Sequence, residues 1–338
     1  MIHLQVLNYL HEHSNRWQLV SELINLFKQN QDILLLHHEG FCWKQTGLYD
    51  IILSVCKQHN FDPNRIHLEN NNMLQESIEP FNYKTPEYYL LPGLCWNMYK
   101  NYQFNIEWTE RYVFSQFNRR FNGNRLYATW KLHNSNLKQY SISSFNSKPS
   151  IDNYDLEMFR WLESNPNKYA DIKDFIPYSD IDNATTEFWN SAFDTLDWEN
   201  IYKHIGLDIA YETVDYPDYD HPTLFLTEKT IRPLCLGTPC VIIANPFFSK
   251  HLQDVLDIDM FEDLFSLQHD AWGGPTAIDI VYDELLPRII KDNIIKTIYT
   301  KHTNRLIHNQ TKILDFCKQN FIKWQDNCTY YASQTPNT

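Results

Sequence analysis

Apolar side chains recur at helical spacing near the start of the chain. Trp17, Val20, Leu23, Ile24 and Phe27 share one face at 3.6 residues per turn and predict an amphipathic helix over residues 14–29. The pattern then changes to an uninterrupted apolar run, Asp32-Ile33-Leu34-Leu35-Leu36, which suits a strand covered on both faces of a parallel sheet. It ends in His37-His38-Glu39-Gly40. Leu48, Ile51, Ile52, Val55 and Cys56 give a second helix, and Arg65-Ile66-His67-Leu68 a short strand. Strand, helix and strand in that order make an α/β unit.

Residues 70–108, rich in Tyr, Pro, Asn and Trp, are less regular and read as the approach to a hinge. Tyr112 to Ser115 starts a fresh strand. A polar, basic loop follows from Asn118 to Arg125, then a helix carrying Leu126, Trp130 and Leu132. After a polar, acidic insertion over residues 151–200, Leu207 to Tyr211 is another strand, ending in Glu212-Thr213. Thr223-Leu224-Phe225-Leu226 is an apolar run of strand type, Thr227 a good helix N-cap, Gly237 a good stop, and Cys240 to Ile243 a further strand. Pro233 falls inside the short helix, which is therefore expected to be broken or to start late.

Residues 247–256 predict a helix, and residues 261–265 a short strand or turn. A glycine turn at Gly273-Gly274-Pro275 precedes two long helical stretches, 277–296 and 300–324, and a frayed tail. The expected class is α/β with two Rossmann-like domains: an N-terminal acceptor-side domain over 1–108, a donor-binding domain over 109–285, and C-terminal helices over 286–338 packing back.

Composition narrows the setting. With 338 residues and 43% hydrophobic content, the chain is long enough for two cores. Only 8 glycines amid many Asn, Tyr and Ile suggest an AT-rich genome of phage or large-virus kind. A net charge of -13 argues against broad binding to a phosphate backbone, which basic residues drive, though it leaves room for a local basic cleft. The 7 cysteines are odd in number and scattered, and they read as reduced thiols packed as small hydrophobes. No secretory leader and no run of eighteen apolar residues is present, so a cytoplasmic protein without a membrane span is expected, in the host cell if the source is viral.

Candidate chemistry gathers at the strand ends. Where a strand gives way to a helix in a parallel sheet, free backbone N–H groups and the helix dipole attract anions. Glu228 and Lys229 stand at such a point. Lysine suits a phosphate, and the glutamate beside it suits sugar hydroxyls, so the pair fits a ligand carrying both. The alternative is an ordinary solvated first turn, with Glu favoured by the dipole. Arg119, Arg120 and Arg125 place three guanidinium forks near a helix start, a natural seat for a diphosphate; the plain reading is a surface loop. The pairs Asp180/Asp182, Asp218/Asp220 and Asp257/Asp259 have the spacing of a metal-binding Asp-x-Asp, but none follows a clear buried strand and an acidic chain holds such pairs by chance. No metal and no cofactor is expected.

Three segments in order carry a family resemblance: Phe117-Asn118-Arg119-Arg120 with Arg125; Tyr211-Glu212-Thr213; and Phe225-Leu226-Thr227-Glu228-Lys229 with Gly237, Pro239 and the Val241 to Ile243 strand. Together they resemble the donor-binding half of the GT-B glycosyltransferases, most closely the α-1,3-fucosyltransferase type and its phage and large-virus relatives. Leu36 to Gly40 and Gly47-Leu48-Tyr49 also look like the phage-type members. The resemblance implies the GT-B fold, two Rossmann-like domains facing across a cleft. It implies that Arg125 binds the nucleotide diphosphate, that Glu228 and Lys229 contact hydroxyls and phosphates, and, more loosely, that Glu212, Thr227, Arg119 and Arg120 take part. The long acidic loop 215–221, Arg232 and Pro233 depart from the fucosyl pattern and leave the donor sugar open.

An inverting transfer needs a base for the acceptor hydroxyl and positive charge for the departing nucleotide. Glu39, at the end of the first domain's strand, is the expected base, with His38 or His37 next; a solvent-exposed carboxylate is the alternative. Two functions of different class follow. One is a nucleotide-sugar glycosyltransferase, inverting and metal-independent, acting on a glycan or on a hydroxymethylated base of phage DNA; a patch of Arg16, Lys44, Arg119 and Arg120 would admit a flipped base. The other is a non-catalytic sugar- or nucleotide-binding module of the same fold.

Overall fold

The structure is a computed structural model. It describes residues 2–5, 13–37, 42–44, 46–74, 78–102, 108–118, 123–145, 197–212 and 223–334, with residues 166, 172, 175 and 180. The chain divides into two compact units: Met1–Tyr89 with Asp218–Leu226, and Leu90–Pro217 with Thr227–Thr338.

Among the described residues, the first unit carries a four-stranded parallel sheet in the order β1 (Ile2–Gln5), β2 (Ile33–His37), β3 (Ile66–Asn70), β4 (Asn82–Tyr83). The uninterrupted run in β2 is buried almost throughout, as a central parallel strand requires, whereas β3 alternates buried and half-buried positions. Helices α1 (His13–Phe27) and α2 (Leu48–Gln58) supply Leu19, Leu23, Leu48, Ile52 and Val55 to the core against Ile33, Leu35, Ile66 and Leu68. Asp50 in the first turn of α2 and Lys57 in its last both complement the helix dipole.

Residues 223–226 join no sheet, against the strand expected of them. Their backbone is met differently: Leu224 N–H donates to Asn72 Oδ1 at 2.8 Å, and Met73 N–H donates to the Leu224 carbonyl at 2.9 Å. These bonds attach the segment to the first unit. An apolar run can thus be buried and bonded outside any ladder, which periodicity alone does not distinguish from a strand.

The second unit begins at α3 (Leu90–Tyr99), a helix inside the stretch expected to be irregular. Its sheet is also parallel, in the order β6 (Ser141–Phe145), β5 (Phe114–Asn118), β7 (Asp208–Tyr211), β8 (Cys240–Ile243). β6 is not expected from the sequence, because its Ser-rich run gives little apolar signal. Helix α4 (Gly123–His133) follows β5, and α5 (Trp198–Tyr202) precedes β7. The chain turns one way from β5 to β6 and the other way to reach β7 and β8. The reversal between β5 and β7 is the topological switch point of a doubly wound sheet.

Helix α6 (Glu228–Cys235) starts at once after its cap and runs through Pro233, stopping two residues later, so neither a late start nor a break occurs. α7 (Phe248–Leu256), α8 (Gly274–Ile280), a π-helical turn at Val281–Leu285, α9 (Leu286–Lys291), α10 (Ile294–Lys301) and the 32-residue α11 (Thr303–Gln334) complete the unit. The segment 261–265 is a turn.

The C-terminal helices do pack back, and they do so on the second unit. α11 lies along α3 and α6, and a Cβ on Gly93 would stand 3.2 Å from the Phe321 backbone nitrogen, so the two helices approach closely there. Gln310 Nε2 donates to the Cys235 carbonyl at 2.6 Å and so closes the C-terminal end of α6. All six described free cysteines are buried, as expected of thiols used for packing.

Candidate functional site

The carboxyl ends of β5 and β7 and the start of α6 bring together Arg125, Glu212, Thr227, Glu228 and Lys229. Arg125 sits in the first turn of α4 and is buried. Its Nη2 donates to the carbonyls of Tyr211 and Glu212, each at 3.2 Å. The guanidinium thereby ties the helix after β5 to the end of β7, across the switch point.

Glu212 is buried to 1% exposure, and both carboxylate oxygens are used. Oε1 accepts from Thr227 N–H at 3.2 Å and Oε2 from Thr227 Oγ1 at 2.6 Å. Thr227 is the N-cap of α6: its extended backbone and its Oγ1, which accepts from Lys229 N–H at 3.3 Å, satisfy one of the helix's free donors. The same hydroxyl accepts from Lys229 Nζ at 3.1 Å. One threonine side chain thus fixes the carboxylate and the ammonium together.

Lys229 Nζ lies 3.4 Å from Glu228 Oε1. Burial lowers the Lys229 pKa below the ordinary lysine value; Glu228 and Glu212 oppose that shift, and the Arg125 charge adds to it. Arg125 and Lys229 thus bring two cations to a helix N-terminus, offset by the Glu228 and Glu212 carboxylates beside them. Among the described residues, the arrangement can seat an acidic group at Lys229 and Arg125 and hydroxyls at Glu228.

Two buried networks hold this frame, and neither was read from the sequence. On one face of β5, Tyr211 hydroxyl donates to Tyr282 hydroxyl at 3.0 Å, and Tyr282 donates in turn to Gln116 Oε1. Gln116 Nε2 donates to Thr129 Oγ1 at 2.8 Å, and Thr129 donates to the Arg125 carbonyl at 2.8 Å. The chain of bonds runs from the residue before Glu212 back to Arg125, and Tyr282 enters it from the π-helical turn.

On the other face, Asp208 is buried and accepts from Ser115 Oγ and from Tyr202 hydroxyl, both at 2.6 Å. Burial pushes its carboxyl up, while the Arg232 charge and those two donors pull the other way. Arg232, one turn after Lys229, lies 4.0 Å over the Trp198 ring. Burial works against its charge, but Tyr202, Tyr99, Asp208 and Glu228 outweigh that and hold its pKa above the ordinary arginine value. A lone aspartate opening an apolar strand and an arginine beside a helical proline were the available signals.

Glu39, His38, Arg119 and Arg120 lie outside the described residues. His37 ends β2, buried, with its ring edge-on to Trp43 at 5.7 Å. Of the Asp-x-Asp pairs, Asp257 and Asp259 serve α11: Lys312 Nζ lies 2.7 Å from Asp257 Oδ2, and Arg305 binds Asp259 and, at 2.7 Å, Asp263. Asp180 accepts from Ser143 N–H at 2.7 Å and pairs with Lys138. Those contacts give these aspartates structural roles. No group of three or more His, Cys, Asp or Glu suited to a metal ion occurs among the described residues. No helix is long and apolar enough to cross a membrane among them.

No protein-family model matches the chain, and no curated protein is similar to it. A solved trehalose-6-phosphate synthase, OtsA, is similar in structure with a TM-score of 0.46 and 11% sequence identity, over 94% of this chain and 70% of that one. A likeness so slight carries no residue role from one chain to the other.

Proposed function

We propose that this protein is a nucleotide-sugar-dependent glycosyltransferase of GT-B type, with the donor seated at the switch point of the second unit's sheet. What supports the reading is one observation: Arg125, Glu212, Thr227, Glu228 and Lys229, drawn from three segments of the sequence, converge at the carboxyl ends of β5 and β7, the place where doubly wound sheets hold ligands.

In the proposed reaction an acceptor hydroxyl attacks the anomeric carbon while the bond from that carbon to the diphosphate oxygen breaks, inverting the centre. Negative charge grows on the departing nucleoside diphosphate. Lys229, Arg125 and the N–H groups opening α6 are placed to stabilise it, and they supply positive charge that a divalent ion supplies in other transferases. Glu228 accepts hydrogen bonds from donor hydroxyls. Glu39 takes the acceptor proton, with His38 as the alternative base, and Arg119 and Arg120 assist at the diphosphate. The nucleotide sugar is a co-substrate and no further cofactor takes part. The net charge of -13 favours a glycan or small acceptor over nucleic acid. A fucosyl-type donor is the first to try.

The test is a thermal-shift screen against nucleoside diphosphates and their sugars. A ligand at a hundred times its Kd stabilises the native state by about 2.7 kcal/mol. A rise with one nucleotide, absent in Lys229→Ala and Arg125→Ala, is the expected result; no rise with any nucleotide overturns the proposal. Loss of turnover with retained donor binding in Glu39→Gln would identify the base.

A further inference from the structure

Asn118, the last residue of β5, is 2% exposed, and among the described residues neither its Nδ2 nor its Oδ1 has a hydrogen-bond partner. A carboxamide taken out of water with both ends unsatisfied is costly, and native proteins seldom keep one without a use. Its neighbours say where it stands. Gln116, two residues earlier and so on the same face of the strand, reaches Thr129 of α4 and Tyr282. Ser115 pairs with Asp208 across the sheet. Counting three residues along each strand brings Asn118 level with Tyr211, whose carbonyl Arg125 holds. The unsatisfied amide is therefore at the switch point, on the side of Arg125.

Its chemistry restricts the occupant. A phosphate offers only acceptors, so it would serve Nδ2 and leave Oδ1 facing lone pairs. A group that both donates and accepts satisfies the two ends together, and neighbouring hydroxyls on a sugar ring are such a group. Resting on the donor-site reading above, we infer that the Asn118 carboxamide binds a pair of hydroxyls of the donor, on the ribose or on the transferred sugar. Asn118 is then a specificity residue standing beside the diphosphate cations.

The experiment is calorimetric titration of the full chain with pyrophosphate, with the nucleoside diphosphate that stabilises it, and with the corresponding nucleotide sugar. Wild type is compared with the near-isosteric Asn118→Leu, and with Asn118→Ala in case leucine fits badly. The variants are expected to melt no lower than wild type, because the amide has no partner to lose among the described residues, and to bind pyrophosphate as wild type does. They are expected to bind the hydroxyl-bearing ligand at least ten-fold more weakly. A loss seen already with the nucleoside diphosphate assigns the ribose; a loss confined to the nucleotide sugar assigns the transferred sugar. Both variants melting well below wild type, an equal loss for pyrophosphate, or unchanged affinity for all three ligands would each overturn the inference. Wild type that binds no nucleotide overturns the transferase reading and this inference with it, whereas wild-type affinity kept in the variants overturns this inference alone.

Discussion

Thr227 donates its hydroxyl to the buried carboxylate of Glu212 at 2.6 Å while accepting from the backbone N–H of Lys229. Replacing it by the isosteric valine removes both bonds and leaves one oxygen of a buried carboxylate without its donor. The cap is worth about 1 kcal/mol and the stranded carboxylate roughly 1–3 kcal/mol more. Thr227→Val should therefore lose about 2–4 kcal/mol in urea unfolding, and Thr227→Ser should recover most of it. An unchanged midpoint in the valine variant would mean the hydroxyl does not hold Glu212.

Lys229 carries its charge against burial and against Arg125. A diphosphate bound beside it stabilises the ammonium, so binding raises its pKa and favours the protonated form. Affinity for a nucleoside diphosphate should then fall as the pH becomes alkaline, with proton uptake visible as a dependence of the calorimetric heat on buffer ionisation. Lys229→Met should bind at least ten-fold more weakly and show no such fall. A pH-independent affinity in wild type would speak against a phosphate at Nζ.

His269, buried at 1% exposure beside β8, has its pKa pushed down by burial from 6.5 to about 4. The unfolded chain therefore binds a proton that the folded chain refuses between those values. Stability is complete above about pH 6.5 and declines as the pH falls towards about 4, at roughly 1.4 kcal/mol per pH unit for the one proton. Urea melts of wild type and His269→Gln at pH 7, 5.5 and 4.5 should show a shallower acid slope in the variant. Parallel slopes would show that the histidine titrates normally in the fold.

Gly206 precedes β7 at a place with no room for a side chain. A Cβ there would meet Ile295 Cγ2 at 2.4 Å, the Val113 carbonyl at 2.9 Å and Trp108 at 3.0 Å. Gly206→Ala should cost about 1–3 kcal/mol by overpacking. Ile295→Leu, which removes the offending methyl, should restore only part of it because the carbonyl is backbone. Full stability in the single variant would show that α10 yields more readily than close packing implies.

The sequence made the strongly periodic elements legible: α1, α2, β2, β7, β8 and α7 lie close to where the spacing of apolar residues puts them. It was silent where the signal is polar. β6 is Ser-Ile-Ser-Ser-Phe, and its serines carry no alternation. α3 was hidden by Pro92, Gly93 and two aromatics, which lower helix propensity although α11 covers the helix. At the candidate site, Arg125, Glu212, Thr227, Glu228 and Lys229 stand out by residue type and strand-end position, and the fold brings them together. Of the groups that hold them, Gln116, Tyr282 and Arg232 act through contacts between segments distant in the chain, which no periodicity marks; Asp208 and Arg232 stand out only as isolated charges in apolar surroundings.

The chain leaves the first unit after Tyr89, returns to it over Asp218–Leu226 and enters the second again at Thr227. That crossing falls on the residue that caps α6 and clasps Glu212, and the three residues before it, Leu224, Phe225 and Leu226, are buried. A gene fragment starting at codon 90 would therefore encode this buried apolar segment without Asn72 and Met73, which bond the Leu224 backbone. The second unit is consequently no detachable cassette: recombination that exchanged it whole between relatives would need breakpoints on both sides of the returning segment, and any single cut carries a sticky splinter of the first unit along with the site.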